Sequence, residues 1–206
     1  MNHFKIIFTG LSFLLTSFLF AQQNNAAKTK KTTKAIIKAH RGTIVTNIRD
    51  KVSGTANTRY ASLPRVGLET IAVPAGAITV TDSVNTYSYK AGIFYVQRPT
   101  GFVITLPVAG IRLKGLPIGY RIVHAAEKTF FYYYGTFYKQ VENSDNYETV
   151  APPESVVVDG LPNGYLIKRV DGVEYYFLSG TYYAEIEDPT LPDKTGYEVV
   201  VIIEEY

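Results

Sequence analysis

Tyrosine is the residue with which this chain could do most. Its 206 residues include 17 tyrosines but neither cysteine nor tryptophan. A tyrosine offers a flat apolar ring and a hydroxyl tip, so it can stack on a sugar ring or peptide while hydrogen-bonding at its edge. Three of them recur at one fixed place. Tyr95, Tyr138 and Tyr183 each stand three residues after a glycine, Gly92, Gly135 and Gly180. This +3 position admits two readings. In one, the ring covers its neighbours and its hydroxyl is satisfied locally. In the other, the three form an exposed row and are ligand-binding residues, with Lys28, Lys30, Lys31, Lys34, Lys38 and Arg41 as electrostatic contacts.

Groups for bond-making chemistry are sparse. Beyond the first twenty residues the histidines are His40, inside a basic stretch, and His124, whose counterparts in the repeats described below are Thr81 and Arg169. There is no cysteine nucleophile, and none of the serines sits in a nucleophile elbow. No histidine or cysteine spacing suits zinc, and Glu185, Glu187 and Asp188 make at most a loose calcium cluster. A phosphate-binding glycine loop is missing too. Aromatics recur in every repeat, whereas titratable groups do not. The expectation is a protein without catalytic residues, metal or cofactor.

The elements that position the tyrosines follow from the repeat. Gly92, Gly135 and Gly180 lie 43 and 45 residues apart; Pro74, Pro117 and Pro162 stand 18 residues before them, and Pro64, Pro107 and Pro152 ten residues earlier still. Each middle proline opens Pro-x-Gly, closing on Gly76, Gly119 and Gly164. Three units follow, at 64–106, 107–151 and 152–206. Asp171-Gly172 between two β-prone runs signals a two-residue hairpin turn, in a register that puts Arg169 opposite Glu174. Similar x-Gly turns at Gly92, Gly135 and Gly180 join the next pair of strands. Each unit therefore reads as a meander of about four strands, and the fold class is all-β: tandem small antiparallel meanders. Propeller blades have a similar length, but three are too few to close a ring alone.

Counted from the turn glycine, positions −5, −3 and +2 share one face. They hold Tyr87, Tyr89 and Phe94, then Phe130, Tyr132 and Phe137, then Tyr175, Phe177 and Tyr182. This reads as the packed side and leaves the +3 tyrosines on the other; Lys168, opposite Tyr175 in this register, weakens the division, and the alternative is that units two and three are partly buried on both sides.

The N-terminal region reads as an export signal. Residues 6–20 are largely apolar, fit a signal h-region better than a membrane span, and end at Leu19-Phe20-Ala21, which places cleavage before Gln22. An uncleaved anchor is the alternative. Residues 22–63 form a basic, partly disordered linker, in which Gly42-Thr43-Ile44-Val45 resembles a decayed fourth copy. Charge is split: residues 22–65 hold ten Lys/Arg against Asp50 alone, and residues 66–206 hold ten against 17 Asp/Glu. Such an arm suits anionic envelope polymers, or else acts as a solvated linker. Nucleic acid is not expected as a partner, and no span is expected after residue 21.

Two stretches carry a family resemblance. Gly115-Leu116-Pro117-Ile118-Gly119-Tyr120 and the run through Tyr134-Gly135-Thr136-Phe137-Tyr138, followed in order by Tyr147 to Pro153, both have counterparts in the next unit. There they read Gly160-Leu161-Pro162-Asn163-Gly164-Tyr165 and Tyr175 to Tyr183. The pattern resembles a family of exported bacterial proteins known only as a domain of unknown function. The resemblance covers about 64–206 and is looser in the first unit, where Ser88 and Lys90 replace aromatics. It implies export and β-repeats and carries no activity. Together these readings point to a non-enzymatic exported envelope protein, periplasmic or secreted, that binds a surface polysaccharide or envelope protein. The alternative is a structural or self-associating spacer.

Overall fold

Four two-residue turns with both φ angles positive set the strand register: Ala91-Gly92 (47°, 89°), Tyr134-Gly135 (49°, 80°), Asp171-Gly172 (50°, 81°) and Ser179-Gly180 (47°, 90°). Their twist matches that of the strands they join, and glycine in second place removes the steric cost of the left-handed region. A computed structural model of the chain describes residues 51–52 and 59–202, all within one unit, Ile44–Ile202.

The described residues are all-β. Lys51–Val52 forms β1. The first sheet is built from β2 (Glu69–Thr70), β3 (Ile78–Thr81), β4 (Thr86–Lys90), β5 (Ile93–Arg98) and β6 (Gly101–Thr105). The second contains β7 (Arg112–Leu113), β8 (Arg121–Ala125), β9 (Lys128–Tyr133), β10 (Thr136–Gln140) and β11 (Tyr147–Val150). The third contains β12 (Val157–Val158), β13 (Leu166–Val170), β14 (Val173–Leu178), β15 (Thr181–Glu187) and β16 (Thr195–Val200). Strand order is β2-β6-β5-β4-β3, then β7-β11-β10-β9-β8, then β12-β16-β15-β14-β13 with β1 added outside β13. All pairings are antiparallel.

Each unit has five strands, where the sequence suggests four. The extra one is a two-residue strand at the start that folds back on the last. One hydrogen bond recurs at that closure: the amides of Gly67, Gly110 and Ser155 donate to the carbonyls of Ile104, Thr149 and Val199. All three donors have positive φ, 83°, 105° and 59°. The pattern hides from a glycine search because the third copy uses serine.

The register read from the turns holds. Tyr89 faces Phe94, Tyr132 faces Phe137 and Phe177 faces Tyr182. Arg169 faces Glu174 and donates to its carboxylate at 2.6 Å.

Packing departs from the expected division into one buried and one wet face. Tyr87, Tyr89 and Phe94 of the first sheet pack against Tyr138, Phe131 and Tyr133 of the second. Likewise, Tyr132 and Phe137 of the second sheet share a cluster with Tyr183, Leu178 and Tyr176 of the third. The −3 face of one sheet thus meets the +3 face of the next. Tyr95, Ile93 and Ile104 of the first sheet belong to that second cluster too.

Candidate functional site

The three +3 tyrosines converge on packing instead of forming a surface row. Tyr95, Tyr138 and Tyr183 are 5%, 0% and 1% exposed. That burial removes the exposed row on which the ligand-binding reading rested, and the cause is physical: the +3 faces of the second and third sheets meet the −3 faces of their neighbours, and Tyr95 of the first sheet enters the same cluster as Tyr132, so alternation alone does not sort aromatics into inside and outside. Burial pushes the Tyr95 and Tyr183 hydroxyls above their ordinary range. Tyr138 is pushed well up by burial, with the nearby Tyr89 hydroxyl adding to the effect and the Thr136 hydroxyl opposing it. Lys28, Lys30, Lys31, Lys34, Lys38 and Arg41, with His40, the signal segment and the possible fourth copy, lie outside the described residues.

What the fold does assemble is a polar junction between sheets. Asp159 follows β12, and its side chain is 5% exposed. Arg121, at the start of β8, donates from Nε to Asp159 Oδ2 at 2.6 Å. Arg59 donates to the same oxygen from one guanidinium nitrogen and to the Gly119 carbonyl from the other. One carboxylate therefore joins the segment before the first sheet, the edge of the second sheet and the loop of the third.

Residues 59–68 run across all three sheets as a strap. Tyr60 is buried, with its ring edge-on to Tyr132, Tyr133 and Tyr134 at 6.5, 5.7 and 5.7 Å between centroids. Burial raises the Tyr60 hydroxyl to about 12, with the Arg59 charge acting in the opposite direction. The Tyr134 hydroxyl donates to the Pro64 carbonyl, and the Val66 amide donates to the Asn163 carbonyl at 2.8 Å. At Gly164, where φ is 106°, a Cβ would stand 2.3 Å from the Val66 carbonyl oxygen, so the strap needs that glycine. The Tyr132 hydroxyl donates to the Gly160 carbonyl at 2.6 Å. Tyr60, inside the stretch 22–63 read from the sequence as a linker, is thus core, and Leu63 packs against the same cluster. Neither Tyr60 nor Asp159 carries a recurring motif; only a buried aromatic beside an arginine in a polar stretch hints at them.

The remaining sequence candidates are dispersed. His124 is exposed on an edge strand, with Nδ1 3.4 Å from the Thr129 hydroxyl. Asp188 accepts from the amide and hydroxyl of Thr190 within its own turn, and Glu185 accepts from the Tyr176 hydroxyl. Among the described residues no three metal-binding side chains converge. An open depression of about 180 Å³ on the first sheet is lined by Glu69, Ile71, Arg98 and Phe102, among others. It is smaller than sites that enclose a small-molecule ligand, roughly 300–1,000 Å³. No helix among the described residues is long and apolar enough to cross a membrane.

No curated protein and no solved structure matches the chain. A family model does, over residues 59–203, beginning at the arginine that grips Asp159 and running through all three sheets. The chain belongs to the family of unknown function DUF6515.

Proposed function

We propose that this chain is an exported, non-enzymatic protein of the bacterial envelope that acts there as a structural module. Its three sheets form the scaffold, and its basic N-terminal arm is the part that meets anionic surface polymer. The observation that carries the reading is the fate of the recurring tyrosines. The one chemistry repeated in every unit is spent on sheet-to-sheet packing, and the largely buried Arg59–Asp159 ion pair ties the strap to the third sheet. Export is supported by the apolar run at residues 6–20, and the arm by ten basic residues against one acid over 22–65.

Fractionation of expressing cells tests export, and co-sedimentation of the purified protein with wall sacculi and outer-membrane vesicles tests the arm. A variant with Lys28, Lys30, Lys31, Lys34, Lys38 and Arg41 changed to Gln runs beside it. Recovery outside the cytoplasm, with pelleting lost both in high salt and in the variant, is the expected result. A cytoplasmic protein, or pelleting indifferent to both changes, overturns the reading.

A further inference from the structure

The three sheets end on equivalent strands, β3, β8 and β13, and the chain treats these edges differently. The β13 edge is covered: β1 pairs with it antiparallel, Lys51 opposite Ile167 and Val52 opposite Leu166. This edge geometry therefore accepts an added antiparallel strand. The β8 edge carries Arg121 and His124, the kind of charged or polar residue that blunts an open edge. On β3 neither device is present. Its four residues, Ile78-Thr79-Val80-Thr81, are all β-branched and uncharged, and among the described residues nothing pairs with its outer side.

The exposure pattern points the same way. Ile78 is 55% exposed, and Thr79 and Thr81 are exposed beside it. The half-buried Val80 belongs to the cluster that joins the first and second sheets, which holds the strand in place. Beyond Thr81, Asp82 caps the turn by accepting the amides of Val84 and Asn85 at 2.6 and 2.7 Å, so the edge stops cleanly.

We infer that β3 is a self-association edge, where two copies of this chain pair antiparallel about a two-fold axis and merge their first sheets into one of ten strands. Such an axis needs opposite residues to share a face. With Thr79 opposite Thr79 of the second copy, Ile78 of each copy lies opposite Val80 of the other, an apolar cross-strand pair on one face. The contact closes on itself, because using the edge once leaves none for a third copy. The edge is short, so the association is one of concentrated protein.

Sedimentation of the purified protein over a wide concentration range tests it. The expected result is a monomer–dimer equilibrium that Thr79→Lys weakens at least about tenfold, with an unchanged circular dichroism spectrum. The equivalent change Thr190→Lys, in a loop of the third sheet, leaves it unaltered. Since the chain has no cysteine, Thr79→Cys gives a second readout: opposite Cβ atoms lie about 4.5–5.5 Å apart in such a ladder, so mild oxidation crosslinks the Thr79→Cys variant and spares Thr190→Cys. A protein that stays monomeric throughout, or a dimer indifferent to Thr79→Lys, overturns the inference. A monomer that still binds envelope fractions overturns this edge alone and leaves the proposed function standing.

Discussion

Arg121 and Asp159 come from different sheets, and the Nε–H of one donates to Oδ2 of the other at 2.6 Å. The same oxygen takes a hydrogen bond from Arg59, so one acceptor couples three segments. Removing the carboxylate leaves the largely covered Arg59 without its main counter-charge. Asp159→Ala is expected to destabilise by about 2–3 kcal/mol, below the usual cost of breaking a buried pair because the Arg121 side chain is half exposed. Arg121→Ala is expected to cost less than Arg59→Ala. Urea unfolding of the three variants, with the midpoint as readout, checks both the size and the order.

Burial of the tyrosines predicts alkaline unfolding. Tyr60 and Tyr175 are raised to about 12, and Tyr132 and Tyr138 well above the ordinary value of 10.0. Desolvation of the phenolate is the leading cause in each. In the unfolded chain these hydroxyls ionise near 10, whereas in the folded chain they keep their protons. The unfolded state then binds fewer protons, so stability is full below pH 10 and falls as pH rises from there toward 12 and beyond. Phenolate absorbance followed against pH should show a steep phase above pH 10 coincident with loss of β signal, as the buried hydroxyls of Tyr60, Tyr132, Tyr138 and Tyr175 become ionised on unfolding. A smooth titration of all tyrosines near pH 10 would contradict the packing.

Equivalent turn glycines are expected to differ sharply. A Cβ on Gly92 would sit 2.4 Å from the Tyr133 ring and 2.8 Å from Pro117, and one on Gly135 would meet Leu106 at 2.8 Å. At Gly180 nothing lies within 4 Å. All three have φ between 80° and 90°, so the backbone cost is common to them. Gly180→Ala should therefore lose only about 1–2 kcal/mol, and Gly92→Ala and Gly135→Ala about 1–3 kcal/mol more, through overpacking. Thermal unfolding of the three single variants gives the ranking.

Lys168 marks where the series of sheets stops. Its counterparts, Val80 and Val123, pack into the inter-sheet clusters. The Lys168 ammonium instead lies 3.5 Å from the Phe177 ring centroid and 5.4 Å from that of Tyr182. Lys168→Ala should cost about 0.5–1 kcal/mol. Lys168→Val would give the third sheet the apolar face that its siblings bury, and light scattering should detect association that persists in a Thr79→Lys background.

Legibility from sequence follows what alternation can encode. Turn chemistry fixes the pairing, so Arg169 against Glu174 and each −3 residue against its +2 partner are legible in the sequence. Facing could not be read, because a period of two says which residues share a side and not how many sides are covered. Tyrosine sharpens that ambiguity, since it suits a wet surface as well as a core. The strap was hidden by its composition: Arg59 and Arg65 extend a basic run, and the pairing of Arg59 with a carboxylate a hundred residues away leaves no local trace. The closing two-residue strands were too short to show any period.

From Gly67, Gly110 and Ser155 to the turn glycines Gly92, Gly135 and Gly180 the spacing is 25 residues each time. What varies is the loop before the last strand, residues 99–100, 141–146 and 188–194. The two longer loops are tied at the neck, Val141 amide to Asn146 carbonyl and Asp188 amide to Lys194 carbonyl, both at 2.9 Å. Length has accumulated beyond a closed neck, where it displaces no core side chain. That rim is the part of the protein open to rewriting: peptides of differing length and chemistry could be displayed there while the three sheets beneath keep their register.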